Sequence, residues 1–160
     1  MAGERYADYA VVCLHDVYSD NFATQLDDVI SDQSLEAADL PDPVAIIRGP
    51  HIDDPRSPLL QVFDVGGTFS DPAGQRNKIA DIDCRVVLTY LSSPDLPTGA
   101  LTMRRYLTAM IQTIEVDPTL GGLVNAAIIN RWDFEAPEIE GNAACRLQLG
   151  MDVVVRVRSD

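Results

Sequence analysis

Lysine is almost missing from this chain: Lys78 stands alone, and twelve basic side chains in all face 25 acidic ones, for a net charge of −13. That deficit argues against sequence-independent nucleic-acid binding, which needs a basic surface to replace the counterions of a phosphate backbone. Cysteine is scarce and odd in number. Cys13, Cys84 and Cys145 lie far apart, the last two on apolar strand faces, and read as reduced core thiols rather than a disulfide framework or a metal cluster. No apolar run approaches the roughly 18 residues of a membrane helix. The stretch Met1-Ala2-Gly3-Glu4-Arg5-Tyr6 lacks the basic, apolar, small-residue order of a signal peptide, so the expectation is a protein made and kept in the cytosol. Walker loop, nucleophile elbow, His-Glu-x-x-His and GxGxxG fingerprint are all missing. No catalytic residue, cofactor or metal is expected.

What is present is unevenly placed. Residues 1–42 hold ten of the acidic side chains but only Arg5 of the basic ones. Asp greatly outnumbers Glu, a bias shared with proteins of salt-loving organisms, whose dense carboxylates are screened when the Debye length falls to about 3 Å at 1 M salt. An ordinary acidic product of a GC-rich gene stands level with that reading. At 160 residues the chain suits one domain, 1–160, since a chain of this size buries roughly 70% of its unfolded surface.

From Tyr6 to about Ile30, Val11, Leu14, Tyr18, Phe22, Leu26 and Val29 recur at helical spacing, with Asp16, Asp20, Asp27, Asp28 and Asp32 between them. Asp39-Leu40-Pro41-Asp42-Pro43 stops that helix. Val44–Gly49 reads as a short buried strand and Leu59–Val65 as a second. The run from Gly66 to Arg76 has the composition of an exposed hairpin tip, long enough to project. Ile79 to Tyr90 alternates as a third strand. Ser92–Thr98 breaks it, and Leu101, Met103, Tyr106, Leu107, Met110, Ile111 and Ile114 mark a second helix with Arg104 and Arg105 on its solvent side. Leu123–Phe134 is a further strand. From Ala143 to Val157 every second residue is apolar, a strand of about 50 Å at roughly 3.3 Å per residue, which points to a sheet continuing across a subunit boundary. The expected fold is α+β, an antiparallel or mixed sheet of about five strands with two helices packed on one face, in the order α-β-β-β-α-β-β.

Each motif has a plain alternative. His51, Asp53 and Asp54 offer one imidazole and two carboxylates but no second ligand cluster, so a solvated loop is preferred to a metal site. Asp81 and Asp83 share a strand face and read as its wet side rather than as a catalytic pair. Asp117-Pro118-Thr119-Leu120-Gly121-Gly122 ends a helix and turns the backbone. Trp132 and Phe134 share a strand face, as core under a helix or as interface anchors; for Trp132 the core is the favoured reading.

An acidic first helix leads through Asp39-Leu40-Pro41-Asp42-Pro43 into Val44-Ala45-Ile46-Ile47. An alternating strand then runs into Tyr90-Leu91-Ser92-Ser93-Pro94-Asp95-Leu96-Pro97, and Asp117-Pro118-Thr119-Leu120-Gly121-Gly122-Leu123-Val124 opens a closing hairpin. In this order and wording the whole chain resembles the tail terminator proteins of long-tailed bacteriophages and the related tail-completion proteins. The resemblance implies a protein with no active site: a hexameric ring of identical copies that caps the tail tube, ends its polymerisation and offers the surface on which the filled head docks. Its implied partners are itself, the tail tube protein and a head–tail connector or neck protein. Its place would be the tail–neck junction of a virion, after synthesis in the host cytoplasm, with no membrane and with DNA only passing unbound through the lumen. The assembly candidates are Gly66, Gly67, Phe69, Asp71 and Arg76 of the glycine-rich loop, with Arg104, Arg105, Gly121, Gly122 and Arg156. A tail-completion role on the same fold stays open, as does a small cellular ligand-binding domain or enzyme built around His51, Asp53 and Asp54.

Overall fold

A computed structural model of the chain describes residues 2–50, 55–69, 79–92, 96–135, 137–140 and 144–158. Helix α1 (Ala2–Asp32) is followed by a short 3-10 turn (Ala37–Asp39) and strands β1 (Ala45–Arg48), β2 (Leu59–Phe69) and β3 (Ile79–Ser92). Helix α2 (Leu96–Glu115), β4 (Ala126–Phe134), β5 (Glu138–Glu140) and β6 (Ala144–Arg158) complete the order. The α+β class and the order α-β-β-β-α-β-β hold, with β5 as a short addition.

The helix spacing has the expected cause. Leu14, Tyr18, Phe22 and Leu26 of α1 are fully buried, as are Tyr106, Ala109 and Met110 of α2. Both helices pack on one face of the sheet, and the Tyr18 hydroxyl joins them by donating to the Met110 carbonyl at 2.8 Å. Helix α1 ends by a Schellman turn: Leu35 N–H reaches the Ile30 carbonyl at 2.9 Å and Ser34 N–H reaches that of Ser31 at 3.2 Å, with Ser34 at φ 53°.

The sheet runs β1-β2-β3-β6-β4, with β5 beside the start of β6. It is mixed because β1 lies parallel to β2 while every other pairing is antiparallel. Two expectations change here. The long final strand lies in the middle of the sheet: β3 pairs with it from Ile79↔Arg158 to Ser92↔Cys145, and β4 and β5 take its other side. Its length is therefore used within the subunit, and the outer strands are β1 and β4. The glycine pair, for its part, does not begin a hairpin tip. Gly66 to Phe69 continue β2, opposite Asp83 to Ala80, after a bulge at Val65. The rest of the expected tip, with Asp71 and Arg76, lies outside the described residues, as do His51, Asp53 and Asp54.

Alternation sorts the strands into two faces. Cys84, Val86, Leu88, Leu149, Met151, Val153 and Val155 are buried beneath the helices. Asp81, Asp83 and Arg85 point the other way, so the pair of aspartates is part of the wet face as expected. Near the start of β2 that second face is covered in turn: Leu59, Gln61, Val87 and Thr89 are buried there, and the Leu91 N–H donates to Ser57 Oγ at 2.8 Å.

Candidate functional site

The open face of the sheet carries a network of charges. Arg85 of β3 donates to Asp152 of β6 at 2.6 Å and to Asp133 of β4 at 2.7 Å, tying three neighbouring strands together. Arg131 completes the group, 3.1 Å from Asp133 and 3.5 Å from Asp152. The guanidinium of Arg85 occupies the space above Gly150, where any Cβ would collide with it. Higher on the same face Arg156 grips Asp81 through two bonds of 2.8 and 2.9 Å. These bonds hold the Asp81 carboxyl below its ordinary range.

The outer strand β4 carries three large exposed apolar side chains, Ile128, Trp132 and Phe134. Register places Trp132 opposite Met151 and Phe134 opposite Leu149, on the helix-covered face. The sequence preference for a core Trp132 is nevertheless wrong. Trp132 is 50% exposed and Phe134 41% exposed, and the two rings meet edge to face with centroids 5.5 Å apart. Alternation reports which face a side chain takes, not whether a helix reaches far enough to cover it. Ile128, half exposed, adds to the same strand from the open face.

At the other side of the sheet, β1 pairs with β2 only from Leu59 to Val62. Beyond that, among the described residues, Asp64 to Thr68 pair with β3 on one side and no strand is recorded on the other. Between this part of β2 and the first turns of α1 lies a cavity of about 300 Å³, lined by Ala7, Asp64, Gly67, Phe69 and Ile82 among others. A shallower hollow of about 490 Å³ adjoins it, sharing Ala7 and Asp64 and reaching Asp8, Val11 and Arg48. Phe69 packs edge-on against Tyr6, centroids 5.8 Å apart, and remains 46% exposed. Gly67 has its own reason to be glycine: a Cβ there would stand 2.9 Å from the Asp81 carbonyl and 3.1 Å from Ile82.

The remaining candidates scatter. Gly121 and Gly122 take φ of 75° and 77° in a turn where Asp117 and Thr119 accept their N–H groups. They shape backbone, as the plain reading had it. Arg104 is exposed on α2. Arg105 is only partly so, because its Nε donates to Gln33 at the end of α1 over 2.8 Å. Arg156 is held by Asp81. Of the expected set, among the described residues, Gly66, Gly67 and Phe69 come together on the second half of β2.

Sequence reasoning missed the Arg85 network. Its one signal is Gly150, a residue without a side chain in the middle of a long alternating strand. Among the described residues no three His, Cys, Asp or Glu side chains are grouped to hold a metal. His15 instead lies 3.1 Å from the Ile46 carbonyl and 3.1 Å from Asp16. A scan against protein-family models found no matching family, and a search of curated proteins found no relative.

Proposed function

We propose that this protein is a structural subunit of a tailed virus, whose copies close into a ring, six to a turn, that caps the tail tube and receives the head. The observation that carries this reading is the exposed Trp132–Phe134 pair on an outer strand. Large aromatics at a sheet edge supply hot-spot area, and a free edge is a liability unless another chain covers it. A closed ring covers every such edge without starting a fibre. The resemblance described above supplies the rest: tube, neck and head as partners, no catalysis, and DNA passing through the lumen.

Charge sets the condition for assembly. Six copies at −13 sum to −78, and that repulsion weakens as salt shortens the screening length. Light scattering at about 0.1 M and 1 M salt, with negative-stain images of the same fractions, tests the reading. Six-fold rings, more abundant at high salt, are the expected result. A monomer at every salt and protein concentration, or an assembly without six-fold closure, overturns it.

A further inference from the structure

We infer that the space between the first turns of α1 and the second half of β2 binds a small zwitterion with an apolar side group, of the chemical class of the apolar α-amino acids. This goes beyond the assembly reading above and does not depend on it.

The site begins as a gap in the core. Helix-side positions along β2 run Leu60, Val62, Asp64, Gly67 and Phe69, since each lies opposite a buried residue of β3: Leu88, Val86, Cys84, Ile82 and Ala80 in turn. Leu60 and Val62 are fully buried and belong to the core under the helices. At the next two positions the row supplies a carboxylate and then no side chain at all, where a close-packed interior calls for two more apolar groups. The cavity of about 300 Å³ is what remains. Small residues face it from other elements as well, Ala7 of α1 and Ala80 of β3, while Ile82 and Phe69 make its walls apolar. Its volume falls at the lower end of the range for small-ligand sites, about 300–1,000 Å³.

Charge selects the ligand. The adjoining hollow of about 490 Å³ shares Ala7 and Asp64 with the cavity and adds Asp8 and Arg48. Among the described residues, none of Arg48, Asp8 and Asp64 has a side-chain hydrogen bond or ion pair, although charges of both signs line this one hollow. Elsewhere on the sheet Asp81, Asp133 and Asp152 each close onto an arginine. A molecule bearing both charges satisfies the two signs at once. Asp64 lies where cavity and hollow meet, which places an ammonium group beside it, with Asp8 adding to the pull. From there a carboxylate reaches through the hollow to Arg48, whose planar fork suits its two oxygens, and a side group enters the cavity. An α-amino acid carries these three groups on one carbon. The side group must be apolar, because a polar one would lose its water against Ile82 and Ala80 without gaining a partner.

Equilibrium dialysis of the full chain against labelled L-leucine and L-phenylalanine tests the site, since it reads binding whatever the state of assembly. Saturable binding of at least one of them, with a Kd below about 1 mM, is expected; weaker binding of both overturns the proposal. Two blocked forms then check the charges. Phenylalanine amide lacks the carboxylate and N-acetylphenylalanine lacks the ammonium, and each should compete at least tenfold less well than the free amino acid. A smaller loss for either overturns the proposal. Two variants place the binding in this cavity. Ala7→Leu puts an apolar side group into the space and should abolish binding with its thermal midpoint held or raised. Asp64→Asn keeps the shape but removes the charge, and should weaken binding at least tenfold. Binding that is unchanged in either folded variant overturns the proposal.

Discussion

Arg85 and Gly150 are interlocked: the guanidinium of one fills the volume that a side chain on the other would need, and from there it reaches Asp133 and Asp152. The arginine is 20% exposed. Its two charge-assisted bonds are therefore worth more than those of a surface pair, and removing one partner strands a partly dehydrated charge. Gly150→Ala must push the guanidinium, the far end of a flexible side chain, aside and weaken its two bonds, at a cost of about 1 kcal/mol, read as a lower midpoint in urea unfolding with an unchanged slope. A loss below about 0.5 kcal/mol, the usual range of a neutral surface change, would show the arginine moving aside freely.

Ser34 offers the opposite sign. It holds φ 53° at the end of α1, where glycine carries no steric penalty. Ser34→Gly should raise stability by about 0.5–1 kcal/mol, or about 1–4 °C in thermal midpoint for a chain of this size. Ser34→Val, a branched side chain in the same geometry, should lower it.

Acid should loosen the open face through Asp81. Its carboxyl lies below the ordinary range because Arg156 bonds to the charged form. A depressed carboxyl stabilises the fold above its unfolded value near 3.9, and that contribution disappears as pH falls through the folded value. Stability measured from pH 6 down to 2 should therefore fall less steeply in Asp81→Asn than in the parent. Parallel curves would show that the pair contributes nothing.

The alkaline limb has a different source. Burial pushes the Cys84 thiol from its ordinary value near 9 up to about 12, and burial likewise raises the phenols of Tyr18 and Tyr106. For all three the unfolded chain ionises first. Their contribution is intact below about pH 9 and is lost progressively as pH climbs toward the folded values. Unfolding free energy should fall above pH 9, and Cys84→Ala should shift the onset of that decline upward once its cavity cost is subtracted.

Thiol chemistry gives an independent check on the core. Cys13, Cys84 and Cys145 are all buried, and a thiolate is the reactive form. At pH 8 a thiol reagent should label fewer than one cysteine per folded chain within minutes, and all three after unfolding in guanidinium. Rapid labelling of the folded chain would mean that the sheet opens near Cys84 or Cys145.

Much of the fold was legible because two periods dominate the sequence. Leu14, Tyr18 and Phe22 repeat at four, and Cys145, Leu147 and Leu149 at two, and each set is buried as its period requires. Pairing order was not legible. Nothing in an alternating run says how many neighbours a strand has, so β6 looked like an assembly edge and is instead the middle of the sheet. Gly66-Gly67 misled in another way: glycine marks turns, but it also marks places where backbones and side chains crowd, and Gly67 is of the second kind. The candidate surface was half readable. Phe69 and its glycines were singled out, whereas the exposure of Trp132 depends on where α2 ends its cover, which no local pattern records.

The central ladder also sets an order of events during synthesis. Residues joined between β3 and β6 lie 53 to 79 positions apart in sequence, so β3 leaves the ribosome with one edge unpaired and waits until α2, β4 and β5 have been made and β6 follows. Pairings of that separation are slow to form, and unpaired edges attract other chains in the meantime. The acidic α1, made before the sheet, would then act as the nascent chain's solubiliser, its carboxylates repelling neighbouring nascent chains until β6 arrives to close the gap between β3 and β4.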